Sequence, residues 1–132
     1  MVKLSTAGTL PAGRKIGAVD VTLTLAPGVT LKSTANPPRP DAGVVTASGV
    51  AANNSFVEAN YTAPTSTLPG KVQIGLINVS GFDTGEFVTV NGDIAAGTNI
   101  RAADFGATIN TIADTDTNPL TGLTAGIAVD IR

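Results

Sequence analysis

The chain has 132 residues, of which 42% are hydrophobic and 14% charged, with 15 Gly and 8 Pro. That is one domain's worth of chain, too apolar for a disordered segment and too often broken by Gly and Pro for long helices. A net charge of −2 argues against an electrostatic grip on nucleic acid, and the absence of Cys and His removes disulfides, thiolate chemistry, zinc fingers and the Ser-His-Asp and Cys-His triads.

The opening Met1-Val2-Lys3-Leu4-Ser5-Thr6 has no apolar signal core, so the chain reads either as cytosolic or as a mature exported segment with Met1 as an added start. No apolar run is long enough to span a membrane. A short strand is expected over Val2 to Leu4. In residues 18–25 Val19, Val21, Leu23 and Leu25 share one face, and Asp20, Thr22 and Thr24 share the other. Ala26-Pro27-Gly28 ends that strand, and residues 34–41, with three prolines, form an extended surface loop within the domain. Further half-buried strands follow, with Val57, Ala59 and Tyr61, then Val72, Ile74 and Leu76, then Val88, Val90 and Ile94 pointing inward.

Pro69-Gly70 precedes the second of these, and Ser80 to Gly85 forms a six-residue connection before the third. Thr98 and Asn99 are placed to cap a short helix from Ile100 to Phe105, with Gly106 as its stop. Asn118-Pro119 leads into a final strand in which Leu123, Ala125, Ile127, Val129 and Ile131 point one way. Eight or nine short strands, with at most one short helix, predict a single all-β domain over residues 1–132, built as a two-sheet sandwich or jelly roll.

The run Gly70-Lys71-Val72-Gln73-Ile74-Gly75-Leu76-Ile77-Asn78, then Gly81, then Gly85-Glu86-Phe87-Val88-Thr89-Val90-Asn91-Gly92-Asp93-Ile94, resembles the central strands of cohesin domains. Residues 18–29 resemble that family's early strand and its proline-bearing turn, Gly49 with Ser55 to Thr62 its next strands, and Gly126 to Ile131 its closing strand. The similarity spans most of the chain as a pattern of apolar positions and glycines. Gly92 departs from it, standing in an inward position where the family has a larger residue. A mid-strand glycine marks a bulge or a close backbone approach. The resemblance implies a flattened jelly roll of the cohesin and carbohydrate-binding-module superfamily, with the chain ends paired. It also implies an exported protein, extracellular or on the outer surface, with a lipid-anchored leader in the full-length precursor, as in small secreted bacterial lipoproteins.

Asp114, Asp116 and Asn118 place oxygen-bearing side chains at alternate positions, as calcium loops do, but an EF-hand's Gly and Glu positions hold Pro119 and Ala125. They are the candidate ligands of a structural calcium; the competing reading is an Asx turn before the last strand. Paired carboxylates such as Asp83 and Glu86 lie on one turn and do not flank a cleft as glycosidase acids do. Among the aromatics, Tyr61 shares a face with Val57 and Ala59 and reads as core, whereas Phe82, in the Gly81 to Gly85 loop, reads as exposed. The lack of Trp leans against sugar stacking.

No enzyme and no cofactor is expected. The first functional reading is a non-catalytic recognition or assembly module that binds another protein or itself through a sheet face or edge, with Thr22, Thr24, Phe82 and Asp83 as contact residues. The alternative is a carbohydrate-binding module for polysaccharide. Lys71 and the prolines of the 34–41 loop are the residues expected to protect strand edges.

Overall fold

Leu23 is fully buried while Thr22 and Thr24 on either side of it keep partial access to water, as strict alternation requires when one face of a strand packs inward. A computed structural model describes residues 1–34 and 39–130. Twelve strands are present among them: β1 (Val2–Ala7), β2 (Ile16–Thr24), β3 (Val29–Thr30), β4 (Ser33–Thr34), β5 (Arg39–Pro40), β6 (Val45–Ala47), β7 (Ser55–Thr62), β8 (Lys71–Phe82), β9 (Gly85–Val90), β10 (Asp93–Ile94), β11 (Gly106–Asp114) and β12 (Thr124–Val129). Eight of them form two four-stranded antiparallel sheets, ordered β12-β1-β9-β6 and β11-β2-β8-β7, which pack as a sandwich. The short pairs β3-β10 and β4-β5 are accessory.

Nine of the expected core side chains, Val19, Val21, Leu23, Leu25, Val72, Ile74, Leu76, Val88 and Val90, are buried between the sheets. Ile127 and Val129 pack against that core while half-buried, because β12 is an edge strand. Ile131 lies outside the described residues. The chain ends pair as expected, with β1 antiparallel to β12 over six residue pairs. Leu4, fully buried, stands opposite Ile127.

Five local expectations are corrected. The segment expected as a helix from Ile100 to Phe105 holds only a 3-10 turn at Ala102–Asp104, closed by the Arg101 N–H donating to the Asp104 carboxylate at 3.0 Å. Gly106 is not a helix stop but the first residue of β11, a strand the alternation did not reveal. A bulge between Ile109 and Thr111 breaks its period, leaving Asn110 and Thr111 both exposed.

The six-residue connection from Ser80 to Gly85 shrinks to Asp83 and Thr84, because β8 continues through Gly81 in a left-handed conformation (φ +79°). This corner carries the chain from one sheet to the other. The strand expected from Val88 to Ile94 breaks after Val90, and Ile94 is exposed. At Gly92 the backbone of β3 comes close: a Cβ there would lie 3.0 Å from Val29 Cγ1 and 3.4 Å from the Thr30 carbonyl oxygen. Within the proline-rich loop, Ser33–Thr34 and Arg39–Pro40 pair with each other, and residues 35–38 lie outside the described residues. Lys71 sits on β8, an inner strand, and therefore guards no edge.

Candidate functional site

The outer face of the β11-β2-β8-β7 sheet is a platform of side chains in register. Four rows cross it: Ala113, Ala18, Ile77 and Phe56; Thr111, Asp20, Gly75 and Glu58; Thr108, Thr22, Gln73 and Asn60; Gly106, Thr24, Lys71 and Thr62. The lower rows are polar and the upper end is apolar. Phe56 and Ile77 are cross-strand neighbours exposed at 65% and 55%, and Val79, the next outward residue of β8, is exposed at 84%. Large apolar side chains left side by side in water on a rigid strand pair are the form that interaction surfaces take.

A groove of about 270 Å³ opens among Ala18, Asp20, Phe56, Glu58, Gly75 and Ile77. Its floor exists because residue 75 has no side chain. A Cβ built there would meet only the Glu58 carbonyl oxygen, at 4.0 Å. Asp20 accepts hydrogen bonds from Gln73 Nε2 at 3.3 Å and from Asn110 Nδ2 at 3.4 Å. Glu58, across Gly75, makes no ion pair among the described residues, and neither does Asp20. The groove therefore combines an apolar floor with two carboxylates that lack a counter-charge.

The expected contact residues divide. Thr22 and Thr24 lie on this platform, and the Thr22 hydroxyl accepts from Asn110 Nδ2 at 2.8 Å. Phe82 does not belong to it. With β8 running on past Gly81, Phe82 pairs with Ile16 and is only 4% exposed, so the reading of Phe82 as an exposed loop aromatic is corrected. Asp83 sits at the corner beyond β8, ion-paired with Lys15 and open to water. Phe56 is the exposed aromatic instead. The sequence signal was present, since a strand that buries Val57, Ala59 and Tyr61 must turn Phe56 and Glu58 outward.

Tyr61 is core as expected, 5% exposed, with its hydroxyl accepting the Leu31 N–H. At the calcium candidates, Asp114 is buried and its Oδ1 accepts the backbone N–H groups of Asp116 and Asn118, each at 2.9 Å. Its Oδ2 lies 3.3 Å from Arg14 Nε. These are the bonds of an Asx turn, and they occupy both carboxylate oxygens. The Asn118 N–H, then the Asp116 N–H and the Arg14 guanidinium, hold the Asp114 carboxyl below the usual carboxylate range, against burial, which works the other way. Asp116 and Asn118 are exposed. Among the described residues no three acidic side chains gather to hold a metal ion.

Comparison of the chain with models of protein families, with curated proteins and with solved structures gives no match.

Proposed function

We propose that this domain is a non-catalytic recognition module of cohesin type, exported to the cell surface or beyond, that binds a protein partner through the outer face of the β11-β2-β8-β7 sheet. The observation that carries the reading is the exposure of Phe56, Ile77 and Val79 on that face, beside carboxylates without a counter-charge. A platform of strands holds these side chains at fixed spacing, so docking a partner immobilises few free rotors and the desolvation of three apolar groups is retained as affinity. The cohesin resemblance of the sequence supports the same role.

A carbohydrate-binding role is the second reading, favoured by one feature. The Phe56 ring lies next to Glu58 and within the platform that carries Asn60, Gln73 and Asp20, which together offer a stacking surface and hydrogen-bond partners for a sugar.

The test is affinity capture from the envelope of the source organism with two baits, the wild-type domain and the Phe56→Lys variant, together with a glycan array. Partners lost on Phe56→Lys establish the protein-binding role. Identical protein sets from both baits, or specific binding to soluble glycan, overturn it.

A further inference from the structure

We infer that the partner seats an arginine side chain in the groove over Gly75, its guanidinium held between Asp20 and Glu58 and its stem against Ile77 and Phe56. The inference rests on the reading of this face as a protein-binding surface and gives the partner's chemistry. Asp20, Gly75 and Glu58 stand side by side on β2, β8 and β7, where both ladders keep their register: β2 pairs with β8 unbroken from Ala18 to Thr24, and β7 pairs with β8 unbroken from Ser55 to Thr62. All three positions face outward, since Val19, Val21, Ile74 and Leu76 are buried and Val57 and Ala59 pack against the core. The middle one has no side chain, so the two carboxylates flank an open gap. Neighbouring strands lie about 4.8 Å apart, which sets the Asp20 and Glu58 Cα atoms about 10 Å from each other. A guanidinium hydrogen-bonded to one carboxylate oxygen at each edge spans about 8 Å, whereas an ammonium, with a single nitrogen, spans about 5 Å. The gap therefore suits arginine's planar fork better than lysine's point charge.

Charge and apolar surface point to the same occupant. Neither carboxylate has an ion pair among the described residues, and the groove of about 270 Å³ has no basic side chain in its lining. Asp20 accepts from the neutral amides of Gln73 at 3.3 Å and Asn110 at 3.4 Å, long bonds that leave it free for a charged donor. Lys71, on the same face, stands two rows away, about 14 Å along β8 from Gly75. In the other direction the row of Ala18, Ile77 and Phe56 begins about 7 Å from the carboxylates. Ile77 and Phe56 are its exposed members, and an arginine stem covers such surface while its head stays among polar groups. The Phe56 ring adds attraction for the cation. A neutral or acidic partner covering this groove would desolvate two carboxylates with nothing to pair them, so the groove selects for positive charge.

The experiment is selection of phage-displayed random peptides on wild type, Gly75→Val, Phe56→Lys and the double variant Asp20→Asn with Glu58→Gln, each checked for fold by circular dichroism and thermal melting. Peptides enriched on wild type are synthesised and titrated by fluorescence anisotropy. Gly75 has an ordinary strand backbone and space for a side chain, so valine there keeps the fold while filling the notch. The double variant keeps the shape of both side chains and removes their charge. The expected peptides share an arginine beside apolar residues. Their binding should weaken at least about tenfold on Gly75→Val and on the double variant, and equally when citrulline, of the same shape without the charge, replaces the arginine. Lysine in its place should retain part of the affinity. If one variant loses its fold, the other and the citrulline peptide decide. A wild type that selects nothing, or folded variants that bind the peptides as tightly as wild type, overturn the inference. Peptides without a basic residue that are lost on Phe56→Lys overturn it too, but leave the recognition role standing.

Discussion

The backbone N–H of Leu31 donates to the phenolic oxygen of Tyr61 at 3.3 Å, and both residues are buried. This bond ties the segment between β3 and β4 to the end of β7, where neither group has water as a substitute. Tyr61→Phe keeps the ring in the core and leaves a buried donor unpaired. The expected loss is about 1 kcal/mol, at the low end because the bond is long, read as a lower urea midpoint with an unchanged m-value.

Asn78 is the buried polar centre of the β8 corner. Its Nδ2 donates to the Asn53 carbonyl at 2.8 Å and to Ser55 Oγ at 2.9 Å, and its Oδ1 accepts the N–H groups of Ser80 and Gly81 at 3.0 Å. These four bonds take up the side chain's capacity and fix the bulged end of β8, where Phe82 turns inward. Asn78→Ala should cost about 3 kcal/mol, more than a single hydrogen bond, because several buried groups lose partners together. Hydrogen exchange checks the mechanism: the amides of Ser80 and Gly81 should lose protection ahead of those of Val72 and Ile74.

Acid stability should report Asp114. Its carboxyl is held below the usual range by the Asn118 and Asp116 N–H groups and by Arg14. A carboxyl with a lowered folded-state pKa binds fewer protons folded than unfolded, so its stabilising effect is full above the ordinary value of 3.8 and fades as pH falls through the lowered one. Asp114→Asn keeps an acceptor oxygen and removes the charge. Wild type should therefore exceed Asp114→Asn in melting temperature at neutral pH, and the gap should narrow as the pH falls below 3.8. A gap that is constant or widens in acid would remove the charge-based account.

Period-two alternation carried most of the architecture, because a strand with one buried face writes its orientation into every second residue. It placed the β2, β8 and β9 core side chains, and the pairing of β1 with β12 came with the cohesin resemblance. It failed where the backbone departs from simple pleating. At Asn110 an extra residue shifts the phase, so Ala107 and Ile109 do not continue to Ile112 in one alternating series, and β11 was hidden. At Ser80-Gly81 local turn chemistry suggested an ending, but the Asn78 hydrogen bonds and Ile16 pairing keep the strand going. The site was half-legible. Alternation turns Thr22 and Thr24 outward, as the structure has them, whereas the exposed apolar pair Phe56 and Ile77 needed the alternation read for its outward residues, and the Gly75 notch needed the neighbouring strands in register.

The closure of the sandwich gives a last prediction. Leu4 of β1 is fully buried and stands opposite Ile127 of β12, which is only half-buried on its edge strand. Leu4→Ala removes a side chain enclosed on all sides and leaves a cavity between two sheets, so it should cost about 3–4 kcal/mol. Ile127→Ala strips a side chain that already meets water, and relaxation of an edge strand can close part of the space, so it should cost about 1–2 kcal/mol. If β12 serves mainly to cover Leu4, the two losses are not independent. Once Leu4 is gone, Ile127 has less to pack against, and the double variant should be more stable than the sum of the single losses predicts by about 0.5–1 kcal/mol. Urea unfolding of the four proteins measures this directly. Strict additivity would mean that β12 is held by its backbone ladder alone and that the Leu4–Ile127 contact contributes nothing to closing the domain.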